Sequence, residues 1–108
     1  MPTNGVCQMP EGLLLEFDGV GREQYEAVNA ALGIDASTGE GDWPDGMLSH
    51  AGGTKPGGLV VFEVWESQDA QGRFMNDRLG PALQQGGISG PPSRVEWLDL
   101  AGYSTHDG

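Results

Sequence analysis

The sequence predicts an α+β fold: a ferredoxin-like βαββαβ chain, with a four-stranded antiparallel sheet and both helices on one face. Three observations predict it. Four short runs rich in Leu, Val, Phe and Trp are spread along the chain. Two amphipathic segments fall between the first and second runs and between the third and fourth. Glycine or proline punctuates most junctions, with 19 Gly and 7 Pro in 108 residues. A chain this long forms one domain with a single modest core.

Residues 1–10 hold two prolines and no period, and read as a loose N-terminal arm. The domain is expected over residues 11–103, with a tail at 104–108. Leu13–Asp18 is a short apolar run ended by Gly19, a strand covered on both faces. From Gly21 to Leu32, Tyr25, Val28 and Leu32 share one helical stripe, with Ala27, Ala30 and Ala31 filling in. Arg22, Glu23, Glu26 and Asn29 fall elsewhere on the wheel, and Glu23 sits in the first turn, where the helix dipole favours it. Gly33 reads as the terminator. Residues 33–46 form a long polar loop whose one large apolar group is Trp43, and Pro44-Asp45-Gly46 is a turn signal.

Met47–Ala51 is a weak strand, and Gly52–Gly58 reads as a hairpin loop. Leu59–Trp65 is the strongest strand, β-branched and aromatic. Ser67 caps the next helix, with Asp69 in its first turn and Ala70 and Phe74 on its buried face. Gly80-Pro81 is expected to interrupt that helix, Pro81–Gln85 to restart a turn, and Gly86-Gly87 to end it. Arg94–Leu100 is the fourth strand. Tyr25, Phe74 and Trp97 stand at core spacings.

Two helices cover one sheet face, yet Leu59–Trp65 is apolar on both. One face carries Val60, Phe62 and Val64; the other carries Leu59, Val61, Glu63 and Trp65. A bare Val/Phe/Val face in water would be an exposed apolar patch. Packing it on a second copy about a two-fold axis hides it, so a homodimer through the sheet face is expected.

Charge narrows the function classes. Sixteen Asp and Glu oppose five Lys and Arg, a formal charge of −11. So acidic a surface repels phosphate backbones and anionic lipid, which disfavours nucleic-acid and membrane partners. No apolar run approaches the roughly 20 residues that span a bilayer. The first residues carry no basic charge of the secretory type, and a cytoplasmic protein is expected. One cysteine, Cys7, allows no internal disulfide and shows no sign of activation. The histidines His50 and His106, without close His or Cys partners, make a poor metal site, and no metal is expected.

Several apparent motifs fail. Gly19-Val20-Gly21 is followed by Gln24 where a dinucleotide loop needs glycine, and Gly53-Thr54-Lys55 lacks the spacing of a phosphate loop. Ser104, His106 and Asp107 crowd one tail and cannot build a triad.

Certain segments carry a resemblance. Phe17-Asp18-Gly19, Glu23–Val28, Gly46–Gly52, Val61–Ser67 with Ala70 and Phe74, and Arg78–Leu83 together resemble the dimeric α/β-barrel superfamily. Within it, the chain is most similar to small actinobacterial proteins related to the antibiotic biosynthesis monooxygenases. The similarity spans residues 11–103, and Glu63-x-Trp65-Glu66-Ser67 is its most specific piece. The resemblance implies two ferredoxin-like protomers whose sheets pack into a barrel, with a ligand pocket in each between sheet and helices. It implies activities such as cofactor-free oxygenation of aromatic polyketides, polyketide cyclisation or haem degradation. One departure matters. Haem-degrading relatives, and many monooxygenase-like ones, carry a histidine in the helix after Trp-Glu-Ser, whereas Gln68–Arg78 has none. That argues against haem ligation from this helix and leaves proton transfer to other residues.

The candidate site residues each have a plain structural alternative. His50 is a candidate general base near a strand end; otherwise it is a histidine bonded to backbone. Glu63, a carboxylate in a buried-looking strand, is costly unless partnered. It pairs with Arg73 or Arg94, or faces a polar pocket; Glu16 poses the same question. Trp65 stacks on a planar substrate or simply packs under the second helix. Trp43 is a lid over the pocket or a staple for its loop. Asn76 and Arg73 point into the cleft, or belong to a solvated helix face.

The function expected is a cofactor-independent monooxygenase or cyclase-like enzyme for a hydrophobic, aromatic metabolite. His50 serves as acid/base, Trp65 and Trp43 bound the ring, and Glu63 or Asn76 orients polar groups; no cofactor is needed. The alternative is a non-catalytic ligand-binding or structural homodimer, which the missing helix histidine favours. Haem binding through His50 is a third, weaker option.

Overall fold

The computed structural model describes residues 9–104. Most of the expected N-terminal arm, including Cys7, and His106 and Asp107 of the tail lie outside them. The elements run β1 (Glu11–Asp18), α1 (Arg22–Leu32), β2 (Ile34–Asp35), β3 (Glu40–Gly41), β4 (Met47–Lys55), β5 (Gly58–Trp65), α2 (Gln68–Phe74), a π-helical turn (Met75–Leu79), α3 (Gly80–Gln85) and β6 (Arg94–Asp99). The main sheet has the order β4-β5-β1-β6, all antiparallel. This is the ferredoxin-like arrangement that the element order predicts.

Alternation along the strands sorts the side chains. Leu13, Leu15 and Phe17 of β1 and Leu59, Val61 and Trp65 of β5 point at the helices and are buried. Val28 and Leu32 of α1, Ala70 and Phe74 of α2, and Ala82 of α3 close the core over them. Each large apolar side chain so buried stabilises the fold by roughly 1.5–3 kcal/mol. The opposite face carries Leu14, Val60 and Phe62, all half-buried within the single chain, while Val64 is already buried. That face is less bare than the sequence implies.

Local signals explain most boundaries. Gln24 Oε1 accepts from the Gly21 N–H at 2.9 Å, tying down the start of α1. Gly33 ends the helix in the left-handed region, at φ 78°. Ser67 Oγ accepts from the Ala70 N–H at 3.2 Å and caps α2.

Four expectations need correction. The 33–46 loop is not structureless, because β2 and β3 pair across it as a small ladder. Its turn is held by Asp35, whose carboxylate accepts from the Ser37 N–H at 3.0 Å and its hydroxyl at 2.6 Å. The strand begun at Met47 does not stop at Ala51 but continues to Lys55, with Pro56-Gly57 as the turn. Gly80-Pro81 does not break the second helix. Pro81 has no N–H to donate, and the preceding π turn, closed by a bond from the Gly80 N–H to the Met75 carbonyl, carries the axis past it. Asn29, read as part of a polar face, is buried, whereas Ala27, Ala30 and Ala31 are exposed.

Candidate functional site

The hairpin register builds the site. Counting back from the turn, β4 and β5 pair so that His50 stands opposite Glu63, with both side chains on the helix-facing side. His50 lies in the middle of β4 rather than near its end. Its Nδ1 is 2.9 Å from Glu63 Oε2, and both side chains are about nine-tenths buried. Trp65, two residues along the same face of β5, donates its indole N–H to Glu63 Oε1 at 2.9 Å.

Glu63 therefore pairs with His50 and Trp65, not with Arg73 or Arg94. Arg94 goes to Glu16, which Lys55 also reaches, at 3.1 and 2.5 Å. Both cations hold the Glu16 carboxyl below its ordinary range, Lys55 contributing the larger hydrogen bond. Burying a carboxylate costs several kcal/mol unless it is bonded; here each oxygen of Glu63 faces a nitrogen.

The fourth member comes from α1. Tyr25 Oη is 2.6 Å from His50 Nε2, and the two rings lie parallel within 4° at 5.9 Å. With Glu63 ionised and His50 neutral, the distances fit one pattern of donors and acceptors. His50 Nδ1–H donates to Glu63, Nε2 is left as an acceptor, and the Tyr25 hydroxyl donates to it. Burial is the main cause that pushes the Tyr25 hydroxyl above its ordinary pKa of 10.0; a hydrogen bond from Asn29 opposes it, and the Glu63 charge adds to it. Tyr25 thus keeps its proton at neutral pH and acts as a donor.

Trp43 closes one side. Its indole donates to the Gly39 carbonyl at 2.9 Å, which fixes the loop, and its ring lies 5.5 Å from the His50 ring. The bond to Gly39 is the one a staple for the loop would make.

His50 borders three hollows. An apolar cavity of about 60 Å³ is walled by Phe17, Leu59, Phe74, Trp43, Tyr25 and His50. An open cleft of about 660 Å³ runs between α1 and β4, past Tyr25, Asn29 and His50, with Arg22, Asp35 and Ser37 along it. A third hollow of about 360 Å³ lies beside Trp43. The other expected pocket residues are elsewhere. Trp65 is fully buried and lines none of the three; it packs on Phe74, with ring centroids 5.7 Å apart. Arg73 and Asn76 are exposed and line none of them either. Among the described residues, no three His, Cys, Asp or Glu side chains gather as a metal site, and no helix is long and apolar enough to cross a membrane.

Sequence reading missed Tyr25, taken for core, and Asn29. One signal could have found Tyr25: a phenol buried at core spacing needs a polar partner for its hydroxyl, and His50 is the one histidine in the domain.

Comparison with solved structures places the fold. A Chloroflexus aurantiacus protein assigned to the antibiotic biosynthesis monooxygenases superposes with a TM-score of 0.62 at 15% identity, covering 90% of this chain and 98% of its own. A Nitrosomonas europaea protein of unknown function gives 0.62 at 15% identity, covering 92% and 96%. A Streptomyces coelicolor monooxygenase, solved in complex with nanaomycin D, gives 0.56 at 23% identity, covering 91% and 93%. The chain shares the ferredoxin-like fold of these proteins. No family model matches the sequence, and no curated protein matches it.

Proposed function

We propose, from the premise that this chain has the fold of monooxygenase-like proteins, that it is a small-molecule-binding protein of that kind. Its ligand is a hydrophobic, aromatic metabolite, and it works as a cofactor-independent monooxygenase or cyclase-like enzyme. The observation that carries the reading is the Glu63–His50 pair: a buried carboxylate behind an imidazole, at the boundary of an apolar cavity and an open cleft. An imidazole so held is oriented for general acid/base work. Oxygenation by molecular oxygen without a cofactor needs a substrate that itself forms a stabilised carbanion. The protein contributes deprotonation by His50 and exclusion of water by Trp43 and the apolar wall.

The working form proposed is a homodimer. Leu14, Val60 and Phe62 lie together on the sheet face that no helix covers, and Leu98 beside them is 39% exposed. Such a face suits a self-complementary two-fold contact. Haem fits this site poorly. Both ring nitrogens of His50 are engaged, which leaves none free to ligate iron.

A panel of quinols, phenols and β-diketones tests the reading, by turnover under air and by ligand-induced stabilisation. Wild type turns over at least one class, and His50→Ala abolishes turnover while ligand binding survives. Binding without turnover points to the second reading, a non-catalytic ligand-binding or structural dimer, which the absence of histidine from α2 favours. Neither turnover nor stabilisation across the panel removes the enzyme reading.

A further inference from the structure

We propose that Tyr25 is the residue that meets the ligand and relays its proton to His50, and that Gly52 is the positioning residue that keeps Tyr25 in place. The inference rests on the acid/base reading of His50.

His50 has no free nitrogen. Glu63 takes Nδ1, and the Tyr25 hydroxyl, at 2.6 Å, caps Nε2. A proton leaving a ligand must reach Nε2, and Tyr25 stands on that route. Tyr25 also borders both the small cavity and the 660 Å³ cleft. The cavity of about 60 Å³ holds a few waters but no polycyclic ring. The cleft of about 660 Å³ is large enough for such a ring, and Tyr25 lines it.

The transfer balances as a double shift. The O–H bond of a phenol or enol breaks as its proton goes to Tyr25 Oη. The original Tyr25 O–H bond breaks as that proton goes to His50 Nε2. What remains is a ligand oxyanion, a Tyr25 hydroxyl now donating to it, and an imidazolium held against Glu63. The ligand class this chain accepts is therefore a phenol or an enol. Tyr25 itself resists ionisation because it is buried beside the Glu63 charge, so it passes protons on and does not end as a phenolate.

Gly52 is what lets the tyrosine lie there. It follows His50 by two on β4, on the same face. A Cβ at this position would sit 2.6 Å from both Cζ and Oη of Tyr25 and 2.8 Å from Cε1. Backbone and ring cannot approach so closely with any other residue. Gly53 makes the contrast, since a Cβ there would meet nothing within 4 Å. The paired glycines that look like a loop thus include one that the tyrosine requires.

The test uses 4-nitrophenol, whose phenolate is read directly by its visible absorbance. On wild type, the bound probe ionises at a pH lower than the free probe by about one unit, the size expected for an oxyanion beside a new cation. Tyr25→Phe binds the probe within about threefold of wild type but loses that shift. Gly52→Ala loses it too, and adding Gly52→Ala to Tyr25→Phe removes nothing further, because both act through one hydroxyl. A Tyr25→Phe protein that keeps the shift overturns the relay, since His50 then meets the ligand itself. A loss of probe binding on adding Gly52→Ala to Tyr25→Phe makes Gly52 merely structural. If His50→Ala keeps the shift, the acid/base reading of His50 fails first; if wild type does not bind the probe, both readings fall.

Discussion

Glu63 Oε2 lies 2.9 Å from His50 Nδ1 across two adjacent strands, at positions directly opposite in the ladder. The pair is set by backbone register, so neither side chain has to search for the other. Its remaining partners, the Trp65 indole and the Tyr25 hydroxyl, come from β5 and α1. A charge-bearing pair in the core is thereby fully bonded and rigid.

Removing the carboxylate should therefore cost stability as well as function. Glu63→Ala leaves the Trp65 N–H and the His50 Nδ1 without their partner. The expected loss is about 1–3 kcal/mol for each orphaned group. Glu63→Gln keeps the shape and one acceptor oxygen and should lose less. Urea unfolding at neutral pH measures both, and equal stability of all three proteins would contradict the bonding scheme.

Glycine substitutions should divide by the space around them. A Cβ at Gly86 would lie 2.4 Å from Val28 Cγ2, where α3 ends against α1. Gly86→Ala is expected to destabilise by about 1–3 kcal/mol through overpacking. Gly72 lies within α2 and a Cβ there meets nothing within 4 Å. Gly72→Ala should stabilise by about 0.5–1 kcal/mol. Paired thermal melts read the opposite signs.

Stability should fall at both ends of the pH scale for separate reasons. Glu16, between Lys55 and Arg94, has its folded pKa lowered from 4.5. Its contribution is complete above that unfolded value and is lost as pH falls through the folded one. Tyr25 has its folded pKa raised from 10.0. Its contribution is in place below pH 10 and is lost as pH rises toward the folded value. Glu16→Gln should flatten the acid limb alone and Tyr25→Phe the alkaline limb alone, in urea midpoints taken across pH.

The uncovered sheet face should hold two copies together. Sedimentation at micromolar concentration is expected to give a dimer for wild type. Phe62→Asp, which places a charge at the centre of that face, is expected to give a folded monomer. A wild-type protein that sediments as a stable single chain removes the dimer.

How far the sequence carried the account depends on the kind of signal. The order of strands and helices was legible because each segment carries its own period, as in Leu59–Trp65 and Tyr25–Leu32. Contacts across elements were not. Glu63 was recognisable as a buried carboxylate, but charge complementarity pointed to Arg73 or Arg94, whereas register placed His50 opposite it. Recognising Pro56-Gly57 as a two-residue turn would have given that pairing by counting back along the strand. Instead, Gly52 and Gly53 looked like loop, because the reason for Gly52 is a tyrosine 27 positions earlier in the chain. The π turn hid for a similar reason. Proline inside a helical stretch normally marks a break, and only the backbone path shows how Gly80-Pro81 is accommodated.

The central claim is that Glu63 fixes the proton on His50 Nδ1 and leaves Nε2 as the acceptor. Nitrogen-15 NMR of the imidazole reads this directly at neutral pH. The account predicts a proton on Nδ1 and a bare, hydrogen-bonded Nε2, with that preference lost in Glu63→Ala. A His50 ring carrying its proton on Nε2 alone in the wild-type protein would contradict it.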